Sequence, residues 1–156
     1  MKITKAVIPC GGMGTRFLPI TKAVPKEILP IVDTPVLSYI VDEAIDSGIT
    51  DILIVINEQK EMIRRYFTPS YELEDKLLAA GKTEYIDVLR RIYSRANIVF
   101  TYQPKPLGSG DAVLQAEKFT GNDPFALAWG DDLIVNDTDP VIGQLTRAYE
   151  KYGCSI

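Results

Sequence analysis

Apolar positions along the chain follow two periodicities. Nearly continuous apolar runs at residues 6–9, Asp51–Ile56, Asn97–Tyr102 and residues 125–129 read as strands. A run apolar almost throughout, such as DILIVI at Asp51–Ile56, fits a strand covered on both faces. Between these runs the spacing becomes helical. Val36, Leu37, Ile40, Val41, Ala44 and Ile45 form two adjacent rows, with Thr34 as N-cap, Pro35 at the first helical position and Gly48 as the stop. Residues 59–94 predict three helical pieces, broken at Pro69-Ser70 and Gly81-Lys82-Thr83. Ser70 and Thr83 serve as their N-caps, and Leu73, Leu77 and Leu78 form an apolar face. A further helix is expected over about 109–119. The last one follows Asp139-Pro140, carries Val141, Ile142, Leu145, Ala148, Tyr149 and Tyr152, and ends at Gly153. Pro19, Pro25 and Pro30 keep residues 17–33 from forming one long helix, and residues 154–156 read as the start of another strand.

Strands alternating with helices imply an α/β fold with a mostly parallel sheet and helices on both faces. Ligands of such folds bind beyond the carboxyl ends of the strands. Three polar or glycine-rich segments, 10–16, 103–110 and 130–132, each follow a strand and should meet on one edge of the sheet.

Composition narrows the chemistry. The 156 residues are 46% hydrophobic and 24% charged, the balance of a single globular domain. A net charge of −4 and the absence of a basic-aromatic pattern argue against nucleic acid as a partner. No apolar run approaches the ~18 residues that a membrane span needs. Cys10 and Cys154 give neither a metal-type spacing nor a disulfide framework, so a reducing cytoplasm is the default compartment. The sequence holds no histidine, which rules out Ser-His-Asp catalysis, Cys-His catalysis and His-ligated zinc.

The loop Gly11-Gly12-Met13-Gly14-Thr15-Arg16 lets backbone amides approach anionic oxygens. It is not a dinucleotide fingerprint, because Phe17 stands where the third glycine belongs. Nor is it a Walker loop, because Gly14 is followed by Thr15-Arg16. Arg16, Lys22 and Lys26 follow closely. A guanidinium grips phosphate through two parallel hydrogen bonds and a lysine supplies a point charge, so the loop and these cations together could hold a triphosphate. By itself the cluster is better read as a tight turn with solvated cations, since short motifs of this kind recur by chance.

Residues 11–30, GGMGTRFLPITKAVPKEILP, resemble the signature of the sugar-1-phosphate nucleotidylyltransferases, G-G-x-G-T-R…P…T-K…P-K…L-P. AVIPC before it, DTPVLSYIVDEAIDSGI after it, the loop from Gln103 to Gly108 and Gly130-Asp131 are similar to the same family, so the likeness covers essentially the whole chain. The run from Thr21 to Ala44 and the segment Tyr66-Phe67…Ser70-Tyr71-Glu72-Leu73-Glu74 look closest to the family's uridylyltransferase branch. A thymidylyltransferase using dTTP, and a noncatalytic nucleotide-binding module, are the alternatives.

The resemblance implies a Rossmann-like three-layer nucleotidyltransferase fold. Residues 1–156 would be the N-terminal, nucleotide-binding part of a single domain, with a helical insertion at about 59–94 and the sugar-binding half absent. It further implies UTP and glucose 1-phosphate as substrates, Mg²⁺ as cofactor and a homo-oligomeric full-length protein. By the same resemblance Cys10, Gly11 and Gly12 contact the base, while Gly14, Thr15 and Arg16 approach the triphosphate. Lys26 reaches a phosphate near the reacting centre, and Gln103 and Gly108 flank the base. Asp131 holds the metal, with Asp132 behind it or on the sugar side. Arg16, Lys26 and Asp131 are the catalytic candidates. Lys22 is as well read as a solvated surface residue, and Cys10 as a small buried filler that is no nucleophile.

Overall fold

β1 (Lys5–Pro9) is the pivot of the sheet. In the computed structural model, which describes residues 2–136 and 138–156, it pairs in parallel with β4 (Asp51–Ile56) on one side and β6 (Ala126–Leu127) on the other. β5 (Asn97–Tyr102) extends the sheet beyond β4, giving the order β5-β4-β1-β6. The chain thus builds outward from β1 to β4 and β5, then returns to the opposite flank of β1. That reversal is the kind of switch point at which open α/β sheets bind ligands.

Alternation within the strands accounts for the layers. Ala6, Ile8, Ile52, Ile54 and Ile56 face one way, where α1 (Val36–Asp46) and α7 (Val141–Tyr152) supply Leu37, Ile40, Val41, Ala44 and Ile142. Val7, Leu53 and Val55 face the other way, against Ala112 of α5 (Ser109–Leu114) and Ala116, with Phe119 of α6 (Glu117–Thr120) packed beside them. Three layers result, as expected. α1 and α7 are also tied by a hydrogen bond, the Ile142 amide donating to Glu43 Oε1 at 3.0 Å. Among the described residues no helix is long and apolar enough to cross a membrane.

Several local expectations are corrected. Thr34 is not an N-cap. Thr34 and Pro35 form β3, which pairs with β2 (Pro30–Ile31) in a small antiparallel hairpin, and Pro35 itself occupies the position before α1. Ser70 and Thr83 do precede α3 (Tyr71–Ala79) and α4 (Glu84–Ser94), but neither side chain caps its helix. The α3 leucines do not form a buried face: Leu73 and Leu78 are exposed, and Glu74 is the buried residue. The expected 109–119 helix divides into α5 and α6, where the Ala116 amide takes the Val113 carbonyl and tightens the turn. β6 is shorter than the 125–129 run because it lies at the sheet's edge and pairs only with β1. Residues 154–156 form no strand. The remaining helix of the 59–94 region is α2 (Glu61–Tyr66), and residues 17–33 do avoid a long helix, folding into single 3-10 turns.

Candidate functional site

The ends of the four strands place the polar segments. After β1 the Cys10 amide donates to the Val55 carbonyl at 2.7 Å, the last sheet bond before the glycine loop. Gly11 is buried there, and a Cβ on it would stand 2.4 Å from Gln103 Oε1, so any larger residue would have to displace the Gln103 side chain. The Gly11 carbonyl accepts a hydrogen bond from Asn57 Nδ2, 2.9 Å away, at the end of β4. Gly14 has φ +67°, and the Thr21 hydroxyl donates to its carbonyl at 2.8 Å, closing the loop on itself. After β5, Gln103 is buried and spends its side-chain N–H groups on the Gly108 carbonyl (3.0 Å) and Asp111 Oδ2 (2.8 Å).

These segments enclose a cavity of about 310 Å³. Its wall includes Gly11, Gly12, Lys26, Gln103, Gly108 and Asp131, with Met13, Pro106 and Trp129 supplying apolar surface. Lys26 and Asp131, 105 residues apart, meet across it with Nζ and Oδ2 at 2.5 Å. A neighbouring hollow of about 180 Å³ shares Gly12, Met13 and Lys26 and adds Gly14, Lys22, Asn57 and Lys60. A larger cavity, about 520 Å³, lies elsewhere, between the β6 region and α7, with Ile3, Phe125, Leu145 and Tyr149 in its wall. It lacks the convergent charged groups that mark a polar ligand's site, so the smaller cavity at the switch point is the candidate.

The sequence matches the family model described as nucleotidyl transferase over residues 5–154. The chain belongs to the nucleotidyl transferase family. Among curated relatives it is 51% identical over 155 residues to UTP–glucose-1-phosphate uridylyltransferase YngB of Bacillus subtilis, covering 99% of this chain and 52% of that protein. It is 46% identical to a second uridylyltransferase of the same organism, covering 99% and 53%. The solved UTP-bound UGPase of Acinetobacter baumannii superposes with a TM-score of 0.92 at 35% identity, over 97% of this chain and 54% of that one. The chain spans about half the length of the curated relatives it matches.

In this nucleotidyl transferase fold Gly11, Gly12, Lys26, Gln103, Gly108 and Asp131 come together around one cavity. Cys10 lies behind it rather than in its wall. The cysteine is buried with its sulfur against Gly130, where an added Cβ would stand 2.4 Å away. Burial, reinforced by the charge of Glu27, pushes the Cys10 thiol well above its usual range, so it stays protonated and is no nucleophile. Thr15 and Arg16 sit on the exposed 3-10 turn at the far end of the loop and do not line either hollow. Arg16 makes no side-chain hydrogen bond or ion pair among the described residues. Lys22 lines the second hollow together with Gly12 and Gly14.

A divalent cation would find Asp131 here, its Oδ2 already paired with Lys26 Nζ. The only other acid in the wall, Glu27, is taken by Lys60. No group of three or more acidic, cysteine or histidine residues forms a cage among the described residues. A single aspartate fits a hard cation whose remaining ligands are phosphate oxygens and water, the usual mode for Mg²⁺.

Sequence reasoning missed Asn57, Lys60, Glu27 and Asp111. The helical reading of 59–94 gave no sign that the turn before α2 reaches under two other loops. A lysine and a glutamate 33 positions apart carry no local signal of pairing.

Proposed function

We propose that this chain is the nucleotide-binding part of an enzyme that transfers a uridylyl group from UTP to glucose 1-phosphate, giving UDP-glucose and pyrophosphate. The observation that carries the reading is the meeting of the glycine loop, the Gln103–Gly108 loop, Lys26 and Asp131 at one cavity on the switch point. The names of the relatives supply the substrates. Residues 1–156 serve as the nucleotide half of one domain, with 59–94 as a helical insertion. The sugar 1-phosphate is held by residues outside this chain's match, so these residues bind UTP while turning over little or nothing alone. The full-length protein works as a homo-oligomer in the cytoplasm, where Cys10 and Cys154 both remain free thiols.

In the reaction a phosphate oxygen of the sugar phosphate attacks the α-phosphorus in line, and the bond to pyrophosphate breaks. No protein nucleophile is required, so the residues align reactants and neutralise charge. Gly11 and Gly12 contact the base, while Gly14 and Thr15 bring backbone amides to the phosphates. Lys26 lies beside Gly12, its Nζ 4.0 Å from where a Cβ there would stand, and can follow charge near the reacting centre. Arg16, on its exposed turn, meets the departing pyrophosphate end. Gln103 holds the Gly108 carbonyl and Asn57 the Gly11 carbonyl, so that the two backbones flank the base. Mg²⁺ held by Asp131 would supply positive charge to the phosphates.

The test is calorimetric titration of the chain with UTP and Mg²⁺, with dTTP as competitor. Saturable UTP binding that dTTP displaces poorly is expected, and Asp131→Asn should remove the Mg²⁺ dependence. Absence of UTP binding, or preference for dTTP, rejects the proposal.

A further inference from the structure

The turn after β4, residues 57–60, touches both segments that carry the site. Asn57 holds the Gly11 carbonyl, as described, and Lys60 Nζ donates to both carboxylate oxygens of Glu27, at 2.7 and 2.9 Å. The Lys60 and Glu27 side chains are only 8% and 1% exposed. Taking two charges out of water is costly, and an apolar pair of similar size is often as stable, so stability alone does not account for this pair. It does fix direction. Glu27 adjoins Lys26 within the single 3-10 turn Lys26–Ile28. Glu27 is tethered to Lys60, and its neighbour Lys26 faces the cavity and Asp131.

We propose that Glu27 and Lys60 are positioning residues that act through Lys26, setting its ammonium group where the phosphates of the bound nucleotide lie. This rests on the nucleotide reading above. The experiment is a mutant cycle on UTP·Mg²⁺ affinity, measured by calorimetry in four chains: unaltered, Lys26→Met, Glu27→Gln/Lys60→Met, and all three changes together. Lys26→Met must weaken binding; unchanged affinity there rejects the nucleotide reading itself. With Lys26 present, Glu27→Gln/Lys60→Met should weaken binding about tenfold, because small misplacement of a charge-neutralising group is costly. In the Lys26→Met background the same pair should change affinity by less than about twofold, the non-additivity expected of coupled residues. Equal weakening in both backgrounds, or none in either, overturns the positioning role while leaving the nucleotide reading intact. Circular dichroism checks folding. If the paired variant does not fold, Glu27→Asp takes its place in the cycle. It keeps both charges and withdraws the carboxylate by one methylene, and the same pattern of affinities supports or overturns the role.

Discussion

Gly130 and Cys10 show how little space the site's floor leaves. A Cβ at Gly130 would meet the Cys10 sulfur at 2.4 Å, with Glu27 Cγ at 3.3 Å and Leu37 Cδ1 at 3.5 Å. Gly130→Ala should therefore cost about 1–3 kcal/mol through overpacking. Cys10→Ala on top of it should recover most of that loss, as read by thermal melts of the two variants. Val32 carries the opposite kind of defect. It is a β-branched residue at φ +62°, almost wholly exposed, in the two-residue turn of the β2–β3 hairpin. Val32→Asn should stabilise the chain by roughly 0.5–1 kcal/mol, since asparagine tolerates the left-handed region; a lower melting temperature would count against this. At this scale the glycines of 11–14, Gln103 and Asp131 were legible because each follows a strand end, whereas Lys26, in the turn Lys26–Ile28, stood out only through the resemblance of residues 11–30 to a known signature. The turn at Val32 was hidden because its residue type argues against it.

The helices of residues 59–94 were legible in number and limits, since Pro69 and Gly81 interrupt the pattern. Their packing was not. The α3 leucines suggested an apolar face, but an amphipathic stripe does not say which neighbour it meets. α3 instead docks on α4 through buried Glu74, which accepts hydrogen bonds from Tyr93 and, at 3.0 Å, Arg90 Nε. The bond from Tyr93, then that from Arg90, holds the Glu74 carboxyl below its ordinary value of 4.5, against the opposing effect of burial. A lowered folded-state pKa means the stabilisation is complete above the ordinary value and is lost as pH falls through the lowered one. Hydrogen exchange should therefore show α3 and α4 losing protection ahead of the sheet as pH falls below the ordinary carboxylate value of 4.5. Glu74→Gln should flatten that dependence; an unchanged profile would mean that the contact is held by something else. The β6 strand fell short of its apolar run for a comparable reason, since the run does not reveal that β6 pairs on one side only.

For the molecule as a whole, alternation of strand and helix was enough to give the layers and the parallel sheet. The positions of the glycine loop and the two later loops were enough to give their convergence. The sequence could not show that β1 is the point of reversal, nor that Lys26 and Asp131 close on each other across 105 residues. It also gave no warning of the larger apolar cavity beside β6. That second cavity makes the central claim sharply testable. Amide chemical shifts of an isotopically labelled chain titrated with UTP and Mg²⁺ report which cavity is filled. The account predicts that shifts concentrate at Gly11, Gly12, Gly14, Lys26, Gln103, Gly108 and Asp131. Shifts confined to Ile3, residues 122–127 and α7, with the glycine loop unmoved, would contradict it.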